Sequence, residues 1–500
     1  MCRAARRESS RRPSRPPARE SVLPLAETAF TLITPGNNSG VLGLARATLD
    51  GDTLKVDVVA SNLTPGEVHP FHLHGFLDDR PERLAVAADD ADGDGFVETA
   101  EGESSAYGPV IAGLTASGEA AFGLEVSPDF PAAAADGTLR FSQTYELDPA
   151  EADDAQILER LTARFEGRVL EFHGLDLPPG PGAGTPGEVD GAGGYDPQVP
   201  VAQGLLLSPG FALPPGTAGW LAGGSEEFLD RGAAALSLLA PYTLDAAGTG
   251  LEPLAPEPPG AADTDAELFA ALLAPSNGSG ALGAALVTLD RDAASVAVDL
   301  WMVGLTPGEE HASHIHGFAD DRPSLLPNYR LDADGDGFVE DAEGEPVVGP
   351  TILALTTDGS VTNAKVGVPF PAADSAGNLV LRQTYDFDET DPAEAAIFAE
   401  LTDRMTGREV QLHGLPLPAT VGEGTPGEVD GTAGYKETLP VANGILLPVE
   451  EVLASQDLAA LGASLEAVFE PSGEPLPIDW DAVAAQVTAN LEATGQWWYI

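Results

Sequence analysis

The chain has 500 residues, 43% of them hydrophobic, so it is long enough for two or three domains with real cores. Lys and Arg number 24 against 79 Asp and Glu; the resulting charge of −55 repels nucleic-acid phosphates and anionic membranes and attracts divalent cations. The single cysteine, Cys2, excludes an intrachain disulfide and a thiolate zinc site, and no run approaches the roughly 18 apolar residues of a membrane helix.

In chain order, residues 1–24 read as a basic disordered tail with no apolar segment of signal-peptide type. The acidic body that follows suits a secreted, periplasmic or cell-surface setting, which is the expectation here although no signal is legible. Residues 26–208 and 264–448 are two versions of one sequence. FHLHGFLDDRP at 71–81 returns as SHIHGFADDRP at 313–323, DADGDGFVETAEGE at 90–103 as DADGDGFVEDAEGE at 332–345, and GTPGEVDGAGGY at 184–195 as GTPGEVDGTAGY at 424–435. The predicted domains are therefore 25–208 and 263–448, with a linker at 209–262 holding one short helix near 225–239. A partly helical extension at 449–500 ends in Trp497, Trp498, Tyr499 and Ile500.

Within each copy the pattern is mainly β. Leu54–Val59 and Val296–Val303 carry β-branched, half-alternating strand sequences, and Thr64-Pro65-Gly66 and Thr306-Pro307-Gly308 mark turns. Asp148-Pro149 opens a helix with Ile157, Leu158, Leu161 and Phe165 on one face. Asp391-Pro392 opens its counterpart, with Ile397, Phe398, Leu401 and Met405. Two antiparallel β-sandwiches, each with one inserted helix, are the predicted fold.

Each copy contains a D-x-D-x-D-G loop with the spacing that supplies oxygen ligands to calcium. In residues 90–101 the candidates are Asp90, Asp92, Asp94, the carbonyl of Phe96, Glu98 and the closing Glu101. In 332–343 they are Asp332, Asp334, Asp336, Phe338, Glu340 and Glu343. Calcium takes six to eight hard oxygens, and Gly95 or Gly337 permits the sharp turn at position six. The prolines upstream leave no room for a full entering helix. The loops are therefore expected to be lone structural clips; the competing reading is a solvated acidic turn.

All eight histidines fall in matched positions: His69, His72, His74 and His173 in the first copy, His311, His314, His316 and His413 in the second. Residues i and i+2 of a strand share a face, so His72 with His74, and His314 with His316, converge. His173 and His413 can join them across the sheet. Three imidazoles suit copper or zinc with an open fourth position; a hydrogen-bonded polar cluster is the alternative.

The segment His69-Pro-Phe-His72-Leu-His74-Gly-Phe and the strand Val169-Leu-Glu-Phe-His173 resemble the histidine segments of copper/zinc superoxide dismutases, and the His-x-His element also resembles chordin-type domains. The resemblance spans most of each copy and implies a Greek-key β-sandwich. It implies copper ligation by His72, His74 and His173, with His69 as a structural histidine, and likewise by His314, His316 and His413 with His311. The family's bridging histidine, zinc ligands and disulfide have no counterpart, and Tyr195 and Tyr435 stand where it places an arginine. The functional expectation is a calcium-binding protein with a histidine transition-metal site in each domain. The alternative is a copper-dependent, dismutase-like oxidoreductase. Divalent cations are the expected partners, with no nucleic acid and no membrane insertion.

Overall fold

A computed structural model describes residues 26–78, 80–207, 224–239, 242–244, 251–253, 266–320 and 322–448. The expectations for 1–24 and 449–500 lie outside the described residues. The chain is mainly β and builds two large antiparallel sheets, one from each copy.

The first copy runs β1 (Glu27–Pro35), β2 (Leu42–Asp50), β3 (Thr53–Ser61), β4 (Phe71–His74), α1 (Thr99–Gly102), β5 (Val110–Leu114), β6 (Ala120–Ala121), β7 (Leu139–Glu146), α2 (Ala152–Ala163), β8 (Val169–Leu177) and β9 (Gly194–Leu205). Its strand order is β6-β5-β4-β8-β9-β1-β2-β3-β7. β1 turns the corner: Glu27–Ile33 pairs with β2, while Thr34 and Pro35 pair with β9. The sheet thus folds over itself into two layers. Inward residues alternate with solvent residues, as in β7, where Leu139, Phe141 and Tyr145 are buried between exposed neighbours. The helix α2 closes the sandwich with Ile157 and Leu161, and its acidic first turn, Asp153 and Asp154, complements the helix dipole.

The linker contributes α3 (Ser225–Leu239), at the predicted position, and a small hairpin of β10 (Tyr242–Leu244) and β11 (Leu251–Pro253). Phe228 of α3 is buried, and the Arg46 guanidinium lies 4.9 Å from its ring centroid, so the helix covers the outer face of β2 and β3.

The second copy repeats the plan with β12 (Ala266–Pro275), β13 (Leu282–Asp290), β14 (Ser295–Val303), β15 (Ser313–His316), α4 (Asp341–Val348), β16 (Thr351–Ala354), β17 (Leu379–Asp386), α5 (Pro392–Asp403), β18 (Glu409–Leu417), β19 (Gly434–Ile445) and β20 (Leu447–Pro448). The strand order is β16-β15-β18-β19-β12-β13-β14-β17. Asp391 caps α5 by accepting from the Ala393 N–H at 2.8 Å, with Pro392 at the first helical position. The inserted helices lie where the sequence puts them. A second short helical segment, α1 or α4, leaves each D-x-D-x-D-G loop.

The copies meet along the loops that follow β1 and β12. Asn38 donates to the Asn277 side chain at 2.8 Å and to the Gly337 carbonyl at 3.0 Å. Its own carbonyl accepts from the Tyr329 N–H, and Ala87 N–H donates to the Gly278 carbonyl. Asn37, Asn38 and Asn277 all adopt φ near +50°, a region that asparagine tolerates better than other side chains. Gly95 and Gly337 pack against each other: a Cβ on either would collide with the other's backbone.

Candidate metal centres

The register of β4 with β8 pairs Phe71 with Phe172, His72 with Glu171, Leu73 with Leu170 and His74 with Val169. Strand alternation therefore sends Phe71, Leu73, Leu170 and Phe172 into the core, where Phe71 and Phe172 stack at 4.2 Å. His72, His74, Glu171 and His173 share the opposite face. Irregular register at Leu73/His74 and on both sides of His173 re-aims those two histidines toward His72. Gly174 follows at φ +111°, where a Cβ would strike the Tyr195 hydroxyl, so only glycine fits this bend.

The result is a buried triad, His72, His74 and His173, in which one ring nitrogen from each lies within 4.8 Å of the others. His74 Nδ1 donates to the Gly108 carbonyl at 2.9 Å, and His173 Nδ1 to the Gln198 carbonyl at 2.8 Å. A carbonyl only accepts, so these bonds fix the proton on Nδ1 and turn the Nε2 lone pairs inward. Both nitrogens of His72 and the Nε2 atoms of His74 and His173 have no hydrogen-bond partner among the described residues. Burial holds His72 far below the usual histidine pKa and brings His74 to about 4 despite the nearby Glu171. Burial pulls His173 down too, but Glu171 outweighs it and leaves His173 raised.

The second copy reproduces this core. His314, His316 and His413 are buried within the same mutual distance. His316 Nδ1 donates to the Gly349 carbonyl at 3.0 Å and His413 Nδ1 to the Thr438 carbonyl at 2.7 Å. Burial brings His316 to about 4 and lowers His314 and His413.

His69 and His311, included among the sequence candidates, do not join the triads. His69 sets Nδ1 against the His173 carbonyl at 2.9 Å and Nε2 against the Thr64 carbonyl at 3.1 Å. His311 does the same with His413 and Thr306. Their rings brace the strand carrying the third histidine, and neither nitrogen reaches the cluster.

Sequence reasoning missed Glu171. Its side chain is 1% exposed, and Oε2 lies 3.2 Å from His74 Nε2 and 3.1 Å from His173 Nε2. The signal was available: Glu171 stands two residues before His173, on the same strand face. Tyr107 stacks edge-on to His74 with centroids 4.8 Å apart, its hydroxyl buried. A crevice between the copies, bounded by Val86, Asn38 and Gly337, runs to Tyr107 and Glu171.

The acidic loops are built alike. Asp90 accepts from the Gly93 and Gly95 N–H groups, Asp94 from Phe96, and Glu101 from Ala91, Asp92 and Glu98. In the second loop Asp332 accepts from Gly335 and Gly337, Asp336 from Phe338, and Glu343 from Ala333 and Glu340. Both Asp92 carboxylate oxygens, Asp334 Oδ1 and Asp336 Oδ2 are buried without a partner among the described residues. Burial, with the neighbouring carboxylates adding to it, pushes Asp90 and Asp332 up to about 6 and Asp94 and Asp336 to about 8. Phe96 and Phe338 are buried and anchor the loops. Glu98 and Glu340, at position nine, accept from the Val189 and Val429 N–H groups, which ties each loop to the recurring GTPGEVDG segment.

The loops are not the lone clips expected from the prolines upstream of them. Asn37 brackets Val97, donating to its carbonyl at 3.0 Å and accepting from its N–H at 2.8 Å, and Asn277 brackets Val339 in the same way. The side-chain amide thus supplies the pair of hydrogen bonds a neighbouring strand would make. Gly95 and Gly337 bring the two loops together across the contact between copies.

One loop also touches the histidine centre directly. Thr99, immediately after Glu98, donates to the Gln198 carbonyl at 2.6 Å and lies 3.3 Å from His173 Nδ1. The histidine and aspartate clusters could each hold a metal ion. No helix among the described residues is long and apolar enough to cross a membrane. No protein-family model matches the chain, and no curated protein sequence matches it.

Proposed function

We propose that the protein is a two-domain metal-binding protein holding a transition-metal ion at His72, His74 and His173, a second at His314, His316 and His413, and calcium in the loops 90–101 and 332–343. The observation that carries this is the orphaned nitrogen set. In each copy, two histidines are locked by backbone carbonyls into the tautomer that points a lone pair inward, beside a third whose nitrogens have no partner. Buried polar atoms left unpaired cost on the order of 1–3 kcal/mol each, and convergent lone pairs repel; a cation between them removes both penalties. Lowered pKa values keep His72, His74, His314, His316 and His413 neutral and able to ligate. At the loops, carboxylates driven upward by burial and mutual repulsion describe a site short of positive charge.

A bound copper or zinc would supply Lewis acidity or, for copper, redox chemistry. The chain's own residues would orient the rings, through the Gly108, Gln198, Gly349 and Thr438 carbonyls, and exclude water with Phe130 and Phe370, which lie edge-on to His72 and His314. The histidine pattern that resembles superoxide dismutases supports a second reading, a copper-dependent oxidoreductase.

Copper and zinc loading of the full chain, followed by electron-spin resonance and a superoxide-consumption assay, tests both. Metal bound without turnover supports the binding protein. A type-2 copper signal with turnover supports the oxidoreductase. Absence of any transition-metal binding defeats both.

A further inference from the structure

The two histidine centres differ in their fourth donor. In the first copy, Glu171 lies beside two of the three histidines, with Oε2 3.1 Å and 3.2 Å from the inward Nε2 atoms of His173 and His74. Donors around a small divalent ion at ~2.0–2.1 Å stand roughly 3.3 Å apart in a tetrahedron, so this oxygen has ligand spacing to those two nitrogens. Each Nδ1 donates to a carbonyl, so in the neutral rings both Nε2 atoms turn lone pairs toward this oxygen, an arrangement that a shared cation, a metal ion or a proton on His173, relieves. The corresponding position in the second copy is Gln411, paired in register with His314 as Glu171 is with His72. Its amide donates to Asn443 at 2.9 Å.

The remaining carboxylates of the second centre are not placed as Glu171 is. Asp341, where the first copy has Thr99, is paired with Lys365 at 2.8 Å, and Lys365 also holds Glu345 at 2.7 Å. Glu409 is buried beside His316 in register with both oxygens unpartnered, but unlike Glu171 it makes no ion-pair contact with a triad histidine among the described residues. Val348 stands where the first copy has Tyr107.

We infer that Glu171 is a fourth metal ligand, so that the first domain holds its divalent ion in a closed three-histidine, one-carboxylate site, while the second holds its ion by three histidines with a coordination position left open. The inference rests on the metal-binding reading above. The first site is then the tighter and structural one. The second is weaker and keeps one coordination position without a protein donor, near Lys365. This follows the difference between closed structural sites and catalytic sites that keep a position free.

The test is titration of the full chain with Zn²⁺ against a chromophoric chelator, in saturating calcium, with stoichiometry read by native mass spectrometry. The wild-type chain should take up two ions of unequal affinity, differing by about 100-fold, the upper end of what supporting groups alone contribute. His74→Ala should remove the tight ion and His316→Ala the weak one. Glu171→Gln should bring the tight site down to the weak one, and Gln411→Glu should raise the weak site toward the tight one. Two equal sites in the wild type, a gap untouched by Glu171→Gln, or a second site weakened by Glu409→Gln as much as the first is by Glu171→Gln would overturn the inference while leaving metal binding intact. Zinc binding at neither site would overturn the metal-binding reading with it.

Discussion

The two copies are an internal experiment on one architecture. What they share is the frame around each triad: the histidines on one strand face, the irregular register that re-aims two of them, the glycine at φ +111° after the third, and the carbonyls that fix their tautomers. What differs is the set of side chains beside the three histidines. The first copy surrounds its triad with Glu171, Tyr107 and Thr99, the second with Gln411, Val348 and Asp341 under Lys365. The lesson is that geometry for presenting three lone pairs has been kept twice, while the charge around them has been set separately.

The largest expected effect probes the layer both copies need. Phe172 stacks on Phe71 directly behind the first triad, so Phe172→Ala should cost about 3–5 kcal/mol and release the first triad's metal while sparing the second's. Two-step thermal unfolding, with metal retained through only one step, is the readout. Loss of both metals together would show that the copies do not stand independently. Next in size is calcium. Asp90→Ala with Asp332→Ala should lower the melting temperature only in calcium, by the equivalent of ~2.7 kcal/mol per site at a hundredfold excess over Kd. An equal loss in chelator would remove calcium from the account.

A third variant tests whether the loops act together. Gly95 is at φ +90° and abuts Gly337, whereas Gly93 is at φ +79° and a Cβ there would come no closer than 3.7 Å to another residue. In calcium titration calorimetry, Gly95→Ala should disturb both loops, while Gly93→Ala should disturb the first alone. The smallest effect, on the order of 1 kcal/mol, is a contrast in pH response. Burial opposes ionisation of Asp57, but hydrogen bonds from Ser142, Ser225 and Arg46 outweigh it and lower its pKa. Its contribution is present above the ordinary value of 3.8 and disappears as pH falls through the lower folded value. Burial raises Asp299, the matching residue of the second copy, against the weaker pull of Arg382. Its contribution is present below 3.8 and is lost as pH rises through the raised folded value. Asp57→Asn should therefore destabilise the first domain at neutral pH and flatten its acid response, and Asp299→Asn should stabilise the second at neutral pH. Matching pH–stability curves for both variants would contradict this.

Much of this was legible in the sequence because duplication printed it twice. The β class, the copy boundaries, α2, α5 and the linker helix follow from periodicity, Asp-Pro starts and repeated turns. The period-two spacing of His72 and His74 placed them on one face before any fold was known. Three things were hidden for physical reasons. The i, i+2 spacing to His173 put Glu171 on the right face, but its approach to His74 as well depends on which residue of β8 faces which of β4, a register the sequence does not print. The exclusion of His69 and His311 depends in each case on one local carbonyl and on one supplied by a residue about a hundred positions away. The meeting of Gly95 with Gly337 depends on how the copies dock, and loops 242 residues apart carry no local trace of it.

The most direct test of the central claim is elemental analysis of the full chain purified without chelator, beside His72→Ala and His314→Ala variants. The account predicts two transition-metal ions per wild-type chain and one in each variant, with the folded state retained by circular dichroism. A folded wild-type chain that carries none, and takes up none when copper or zinc is offered, would contradict it.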